Sequence, residues 1–351
     1  MYTLVKLKAL ASIPTATSWL LAEIGEARGI ESGLARRSSS SVRVLRESAI
    51  VESALASTRI EGVTIELGRV QPVLQGRARL SDRDEAEVRG YRDALRMIHG
   101  KGESLPVGEK AIKAFHTLVR GAIGDAGKYR TRDTDIIERL EGGVRVRFRP
   151  VAGSEVRASM KQLIVEWRET AAEESIQPLL AVAAFNLDFL CVHPFRDGNG
   201  RVSRLLLLQQ CYHANHDVGR YISLERIIEE EKARYYETLE YCSVGWHNGK
   251  HDPWPYINFL LQILKEAYRK LHTRTVSSES ARGSKSETVV TAIQRFDKPF
   301  RHSELVDASP GVSRDTVRRV LRNLKVNGIV TVSGRGPAAL WRRKGITTKK
   351  G

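Results

Sequence analysis

Apolar residues recur at helical spacing along most of this chain, and only short stretches alternate apolar with polar positions. Leu179, Leu180, Val182, Ala183, Phe185, Leu187, Phe189 and Leu190 fall within Leu179–Cys191 and predict a buried helix. Pro194 stops it. Val202, Leu205, Leu206 and Leu208 restart the helical pattern, so the residues between form a loop that ends at a helix N-terminus. Ile50, Val51, Ala54, Leu55 and Thr58 give an earlier segment an apolar stripe. Val144-Arg145-Val146-Arg147-Phe148, bounded by Gly142-Gly143 and Pro150, alternates apolar with basic and predicts a short strand. Near the C-terminus helices are predicted over Glu287–Phe296, Ser303–Ala308 and Arg314–Val326, the last capped by Ser313 and closed by Gly328. Ile329–Val332 and Ala339–Trp341, joined through Gly334-Arg335-Gly336, read as a two-stranded wing. The expected fold class is mainly α.

The loop between the two apolar helices carries the densest chemistry. It reads His193-Pro194-Phe195-Arg196-Asp197-Gly198-Asn199-Gly200-Arg201, followed by Arg204. Gly198, Asn199 and Gly200 let the backbone turn tightly and expose N–H groups. Those groups and the positive end of the next helix form an anion site. Arg201 and Arg204 lie three apart on one helix face, where both can reach phosphate oxygens. Asp197 is a hard oxygen ligand suited to Mg²⁺. His193 titrates near neutral pH and can accept a proton from a hydroxyl.

The run matches HPFx[D/E]GN[G/K]RxxR at every specified position and so resembles the Fic family. The resemblance implies transfer of AMP from ATP to a Ser, Thr or Tyr hydroxyl of a protein, with Mg²⁺ present. It assigns the general base to His193, the metal to Asp197, and nucleotide contacts to Gly198, Asn199, Gly200, Arg201 and Arg204. Phe195 falls among the nucleotide-site residues as an anchor that pins the loop in the core. Gly127-Lys128-Tyr129-Arg130 is similar to the family's GxYR segment. The strand Val144–Phe148 takes the place of the family's flap, which docks the target by strand addition. Tyr235 or Tyr236 would help enclose the adenine. Gly200, retained where phosphoryl-transferring relatives carry Lys, favours nucleotidyl transfer; other donors such as UTP remain within the family's range.

Ser57-Thr58-Arg59-Ile60-Glu61-Gly62 matches [S/T]xxxE[G/N], the inhibitory motif of one class of Fic proteins. Ser57 and Glu61 are four apart and share a helix face. The resemblance implies that Glu61 pairs with Arg204 and withholds it from the γ-phosphate. The same Glu61 could position water and reverse the modification. Family members with this brake often dimerise, and the resemblance allows a homodimer without fixing the oligomeric state.

Charge singles out the C-terminus. The chain has 351 residues and a net charge of +16. From Arg274 onward there are seventeen Lys or Arg against six Asp or Glu. Such asymmetry calls for an acidic partner. The element order resembles a winged helix-turn-helix, with Arg314, Arg318, Arg319 and Arg322 facing outward on the third helix and Arg335 at the wing tip. DNA is the implied partner. An alternative function follows: a DNA-binding regulator whose core senses nucleotide or modifies itself. Thr273–Lys285, rich in Ser, Thr, Gly and charge, reads as a linker. The expected organisation is a helical N-terminal region over 1–100 with the inhibitory helix at about 47–62, a Fic core over 101–272, a linker over 273–286 and a winged domain over 287–351. Cys191, Cys211 and Cys242 show no CxxC spacing, no run approaches a membrane span, and no leader is evident. A cytoplasmic protein without membrane contact is expected.

Overall fold

A computed structural model describes residues 2–35, 40–121, 123–140, 143–294, 296, 298–309, 312–334, 336 and 339–344. The chain divides into two compact units, 1–271 and 272–351. The first unit runs α1 (Tyr2–Lys8), α2 (Thr15–Ala35), α3 (Ser40–Ile60), α4 (Leu67–Gln75), α5 (Arg83–Lys101) and α6 (Glu109–Arg120). The hairpin β1 (Ile136–Leu140) and β2 (Gly143–Phe148) follows, then α7 (Val156–Ala172), α8 (Pro178–Val192) and α9 (Asn199–His213). It closes with α10 (Leu224–Glu230), α11 (Lys232–Ser243) and the start of α12 (Trp254–Gln294). The mainly helical architecture is as the periodicity predicts. The N-terminal hundred residues and the predicted core lie in one compact unit.

The core is built around α8, in which every residue from Leu179 to Val192 is buried. Such a helix has no solvent face and needs neighbours all round. They are α1, α7 and α9. Pro178 starts α8, and the Gln177 side chain accepts from the N–H groups of Leu179 and Leu180 at 2.6 and 3.2 Å. A second fixed point is polar. Asp188 is fully buried and accepts from Thr3 N (3.0 Å), Thr3 Oγ1 (2.6 Å), Leu4 N (3.1 Å) and Trp246 Nε1 (2.6 Å). It ties the first turn of α1 and the Trp246 ring to α8. Gly90 lets α5 lie directly on the α6 backbone at Leu118, which brings the acidic and basic groups of the two helices together.

The second unit holds the end of α12, then β3 (Phe300–Arg301), α13 (His302–Asp307), α14 (Arg314–Val326), β4 (Val330–Ser333) and β5 (Leu340–Arg343). The strands form an antiparallel sheet in the order β3-β5-β4. Its core joins Val289, Ile293, Phe300, Leu305, Val317 and Leu321. Two expectations change here. The 273–286 stretch predicted as a linker is helical backbone within α12. No proline interrupts the chain between Pro255 and Pro299, and polar residues cost a helix only fractions of a kcal/mol each. The wing gains a third strand, β3, too short to leave a periodic signal.

Asp188→Ala leaves buried donors on Thr3, Leu4 and Trp246 without an acceptor. It should lower the stability of the first unit by about 3 kcal/mol, read as a shift of its denaturant midpoint.

Candidate active site

The site begins where α8 ends. His193 adopts the left-handed conformation (φ 50°, ψ 62°), and its N–H donates to Phe189 O at 3.0 Å. A non-glycine residue there costs on the order of 1–2 kcal/mol, so neighbours must hold it. Arg130 does so. Its side chain donates to His193 O at 2.8 Å, Val192 O at 3.2 Å, Val151 O at 2.6 Å and Arg132 O at 3.0 Å, and its backbone N–H donates to Pro194 O at 2.9 Å. The GKYR segment therefore supplies the clamp on the histidine's backbone. The His193 ring lies partly in the open, with Nδ1 3.3 Å from Leu190 O. A carbonyl only accepts, so Nδ1 carries the proton in that bond and the Nε2 lone pair is left free. Burial pushes the ring's pKa down to about 4, further aided by Arg130 and opposed by the Leu190 carbonyl.

The turn that follows is internally clasped. Asn199 Oδ1 accepts from Phe195 N at 2.9 Å while its Nδ2 donates to Phe195 O at 2.8 Å. Both are buried, so the Asn199 side chain serves the turn and not a ligand. Phe195 is fully buried and stacks on His116 with centroids 3.7 Å apart, so it packs in the core and not, as its grouping implied, against a nucleotide. His116 escaped the sequence reading because it lies on α6, far away in the chain. It accepts from Gly127 N at 2.8 Å through Nδ1 and reaches Asp197 O at 3.0 Å through Nε2. Gly198 (φ 84°) opens α9. The first-turn N–H groups of Asn199, Gly200 and Arg201 have no intrahelical acceptor and carry the positive end of the helix dipole.

The charged groups are arranged less simply than the motif implies. Arg201 is 2% exposed, pairs with Glu87, and reaches Asp197 Oδ1 at 3.1 Å. Asp197 Oδ1 also accepts from Gly198 N at 2.6 Å. Its Oδ2 accepts from Arg83 at 2.6 Å and from Arg120 at 2.6 Å. Burial works against the Asp197 charge, but Arg201 and Arg120 outweigh it and hold the carboxyl below its ordinary range. A cation at Asp197 would meet guanidinium charge on both oxygens. This donor set does not fit Mg²⁺, contrary to the expectation from the motif. Arg83 and Arg120, brought in from α5 and α6, are the reason. Among the described residues no group of three or more His, Cys, Asp or Glu is placed to hold a metal.

Arg204 is 2% exposed and faces the end of α3. Its Nε donates to Ser57 Oγ at 2.9 Å, and its Nη2 donates to Ser57 O at 2.9 Å and Glu61 Oε1 at 2.8 Å. Among the described residues its buried Nη1 has no hydrogen-bond partner. Glu61 sits just past α3, where Gly62 (φ 84°) turns the chain. The Glu61 carboxylate rests against Gly200, where any β-carbon would strike it. α3 is fastened beside the site by Arg59–Glu229 at 2.6 Å and by Ser53 Oγ donating to Glu225 at 2.6 Å.

A cavity of about 450 Å³ opens in front of the turn, a size suited to a nucleotide-sized ligand. His193, Gly200, Glu61, Arg196 and Tyr236 are on its wall, whereas Arg204, Arg201 and Asp197 are not. Glu61 thus stands between the cavity and Arg204. Tyr236 is half-buried beside Arg147, whose guanidinium lies 5.7 Å from its ring centroid. Tyr235 borders the cavity but is 2% exposed and packs among Tyr256 and Phe259. The hairpin closes one side. Val144 and Val146 are exposed, and Arg145 and Arg147 pair with Glu138 and reach Glu240 of α11 at 2.8 and 3.6 Å. Phe148 stacks on His247 at 5.5 Å. β2 therefore lies between β1 and α11. Thr134–Glu138, including most of β1, faces the cavity, and among the described residues no strand other than β2 pairs with it.

The loop between two buried helices brings a histidine and a helix N-terminus onto one cavity. Residues 106–211 match the Fic/DOC family. Protein adenylyltransferase fic-1 of Caenorhabditis elegans is 31% identical over 156 residues, which are 42% of this chain and 29% of the relative. Protein adenylyltransferase Fic of Drosophila persimilis is 24% identical over 233 residues, 64% of this chain and 41% of the relative. The matches thus span less than half the length of these curated relatives. A crystal structure of a Fic family protein from Desulfovibrio desulfuricans G20 superposes with a TM-score of 0.60 at 26% identity, covering 96% of this chain and 98% of that one. Fic-1 from C. elegans superposes at 0.57 with 22% identity, over 75% of this chain and 73% of that one, a likeness of fold.

His99, His116, His193, His216 and His251 are each pushed down to about 4, chiefly by burial. They stay neutral when folded, while the unfolded chain takes up protons near the ordinary histidine value of 6.5. Their contribution is complete above 6.5 and is lost as pH falls toward 4. Thermal unfolding at constant ionic strength should show the midpoint falling over that window.

Proposed function

We propose that the chain transfers AMP from ATP to a Ser, Thr or Tyr hydroxyl of a protein. The observation that carries this reading is that a neutral His193 and the N-terminal turn of α9 open onto the same cavity. The names of the curated relatives support it. His193 Nε2 takes the proton of the acceptor hydroxyl as its oxygen attacks the α-phosphorus. A new phosphorus–oxygen bond forms, the bond to the β-phosphate oxygen breaks, and pyrophosphate carries away the electron pair. The free N–H groups at the start of α9 stabilise the charge developing on the phosphoryl oxygens. Tyr236 and the cavity wall hold the base. An acceptor segment paired along β1 would bring its hydroxyl beside His193, a docking edge supported by the coverage of β2.

The geometry supports a closed site. Glu61 places negative charge at the mouth of the phosphate turn and occupies Arg204, whose spare Nη1 is the donor a γ-phosphate needs. Release of Glu61 turns Arg204 toward the cavity and removes the repulsion.

Transfer is measured with α-labelled ATP on purified protein, alone and with candidate acceptor proteins. Glu61→Gly should raise incorporation by about tenfold or more, the worth of a charged hydrogen bond. Unchanged incorporation would remove the brake from the account. His193→Ala in the Glu61→Gly background should cut incorporation by about 10²–10⁴-fold with nucleotide binding retained. Transfer surviving at the parent rate would refute the assignment of the base.

A further inference from the structure

The second unit carries a surface that transfer chemistry does not use. α14 buries Val317, Val320 and Leu321 and turns Arg314, Arg318, Arg319, Arg322 and Lys325 to solvent. Asp315, 91% exposed, is the helix's one acid and lies 3.4 Å from Arg318. Arg314, Arg319, Arg322 and Lys325 form no ion pair among the described residues. From Arg274 onward the chain carries seventeen Lys or Arg against six Asp or Glu, α14's own cations included. We propose that α14 binds duplex DNA in the major groove. This inference does not rest on the transferase reading.

Shape and composition select the partner. α13 and α14, six residues apart in the chain, have the order of a helix-turn-helix, in which the second helix is presented outward. Ser313 caps α14, accepting from Thr316 N at 3.3 Å, so its first turn is fixed in place. Thirteen residues make a rod about 20 Å long and 10–12 Å across. It fits the roughly 12 Å major groove of B-form DNA. The major groove of A-form RNA is too narrow and deep for it. An acidic protein fits less well. Along α14 the exposed face offers a single large apolar residue, Val326 at its C-terminal end, whereas a protein interface centres on apolar and aromatic anchors. β5 adds Arg342 and Arg343, both exposed, on the hairpin that follows α14. Such flanking cations suit phosphate contacts. Arg335, expected at the wing tip, lies outside the described residues.

The test is fluorescence anisotropy of the full chain with a labelled random-sequence DNA duplex of about two helical turns. Duplex RNA of the same sequence is run beside it, and salt is varied. Saturable DNA binding is expected, with affinity falling steeply as salt rises. Changing Arg318, Arg319 and Arg322 together to Ala should weaken it at least tenfold and reduce the salt slope by about 3, near one unit per lost phosphate contact. The circular dichroism spectrum should be unchanged. Asp315→Asn removes an exposed repulsive charge without touching the core, and should tighten binding severalfold even if the triple variant misfolds. The proposal is overturned if DNA does not bind saturably at low salt, if duplex RNA binds as tightly, or if the variants keep the parent affinity and slope.

Discussion

The chain must reverse direction between two helices that are almost wholly buried, α8 and α9, and it does so through a left-handed histidine. Nothing at that junction is free to relax. His193 is held by Arg130 through main-chain carbonyls, and the next residues are clasped by Asn199 and anchored by the Phe195–His116 stack. The strained backbone is stable because a dense core over-determines it. The same strain aims the imidazole into the cavity and leaves the first amides of α9 pointing nearby. Chemistry and packing here are one constraint.

Electrostatics shape what the turn can do in this state. The arginines around the turn are largely buried, and a buried positive charge needs a partner. The fold meets this demand by pairing its arginines internally. Glu87 takes Arg201, Asp197 takes Arg83 and Arg120, and Glu61 takes Arg204. The cations are in place yet masked from the cavity. Of these partners Glu61, just past the end of α3 and 29% exposed, is the easiest to displace. Glu87, at 1% exposure, is not. The difference in burial separates a pair locked in the core from one within reach of solvent.

The motif residues, the two helices flanking them, α14 and the short strands were legible because their signals are local. Apolar spacing and a run of adjacent polar residues survive in a linear chain. The Ser57–Glu61 spacing was also legible, and the fold places both side chains on Arg204, a contact across 143 residues of chain for Glu61. What could not be read was competition. The sequence offers Asp197 as a metal ligand and Arg201 as a phosphate ligand, and gives no sign that α5 and α6 deliver Arg83, Glu87 and Arg120 to the same few ångströms. His116 is invisible for the same reason. Polar composition over 273–286 suggested a linker, yet helix requires only the absence of strong breakers.

The sequence alone determined the helical class, the identity of the reactive loop and the basic character of the C-terminal unit, because each depends on residues close together in the chain. Tertiary structure decided which charged groups meet, which are covered, and which hairpin edge faces the cavity. Those outcomes depend on burial and on distances between remote segments. A charge acquires its partner and its pKa only when folding removes water from around it.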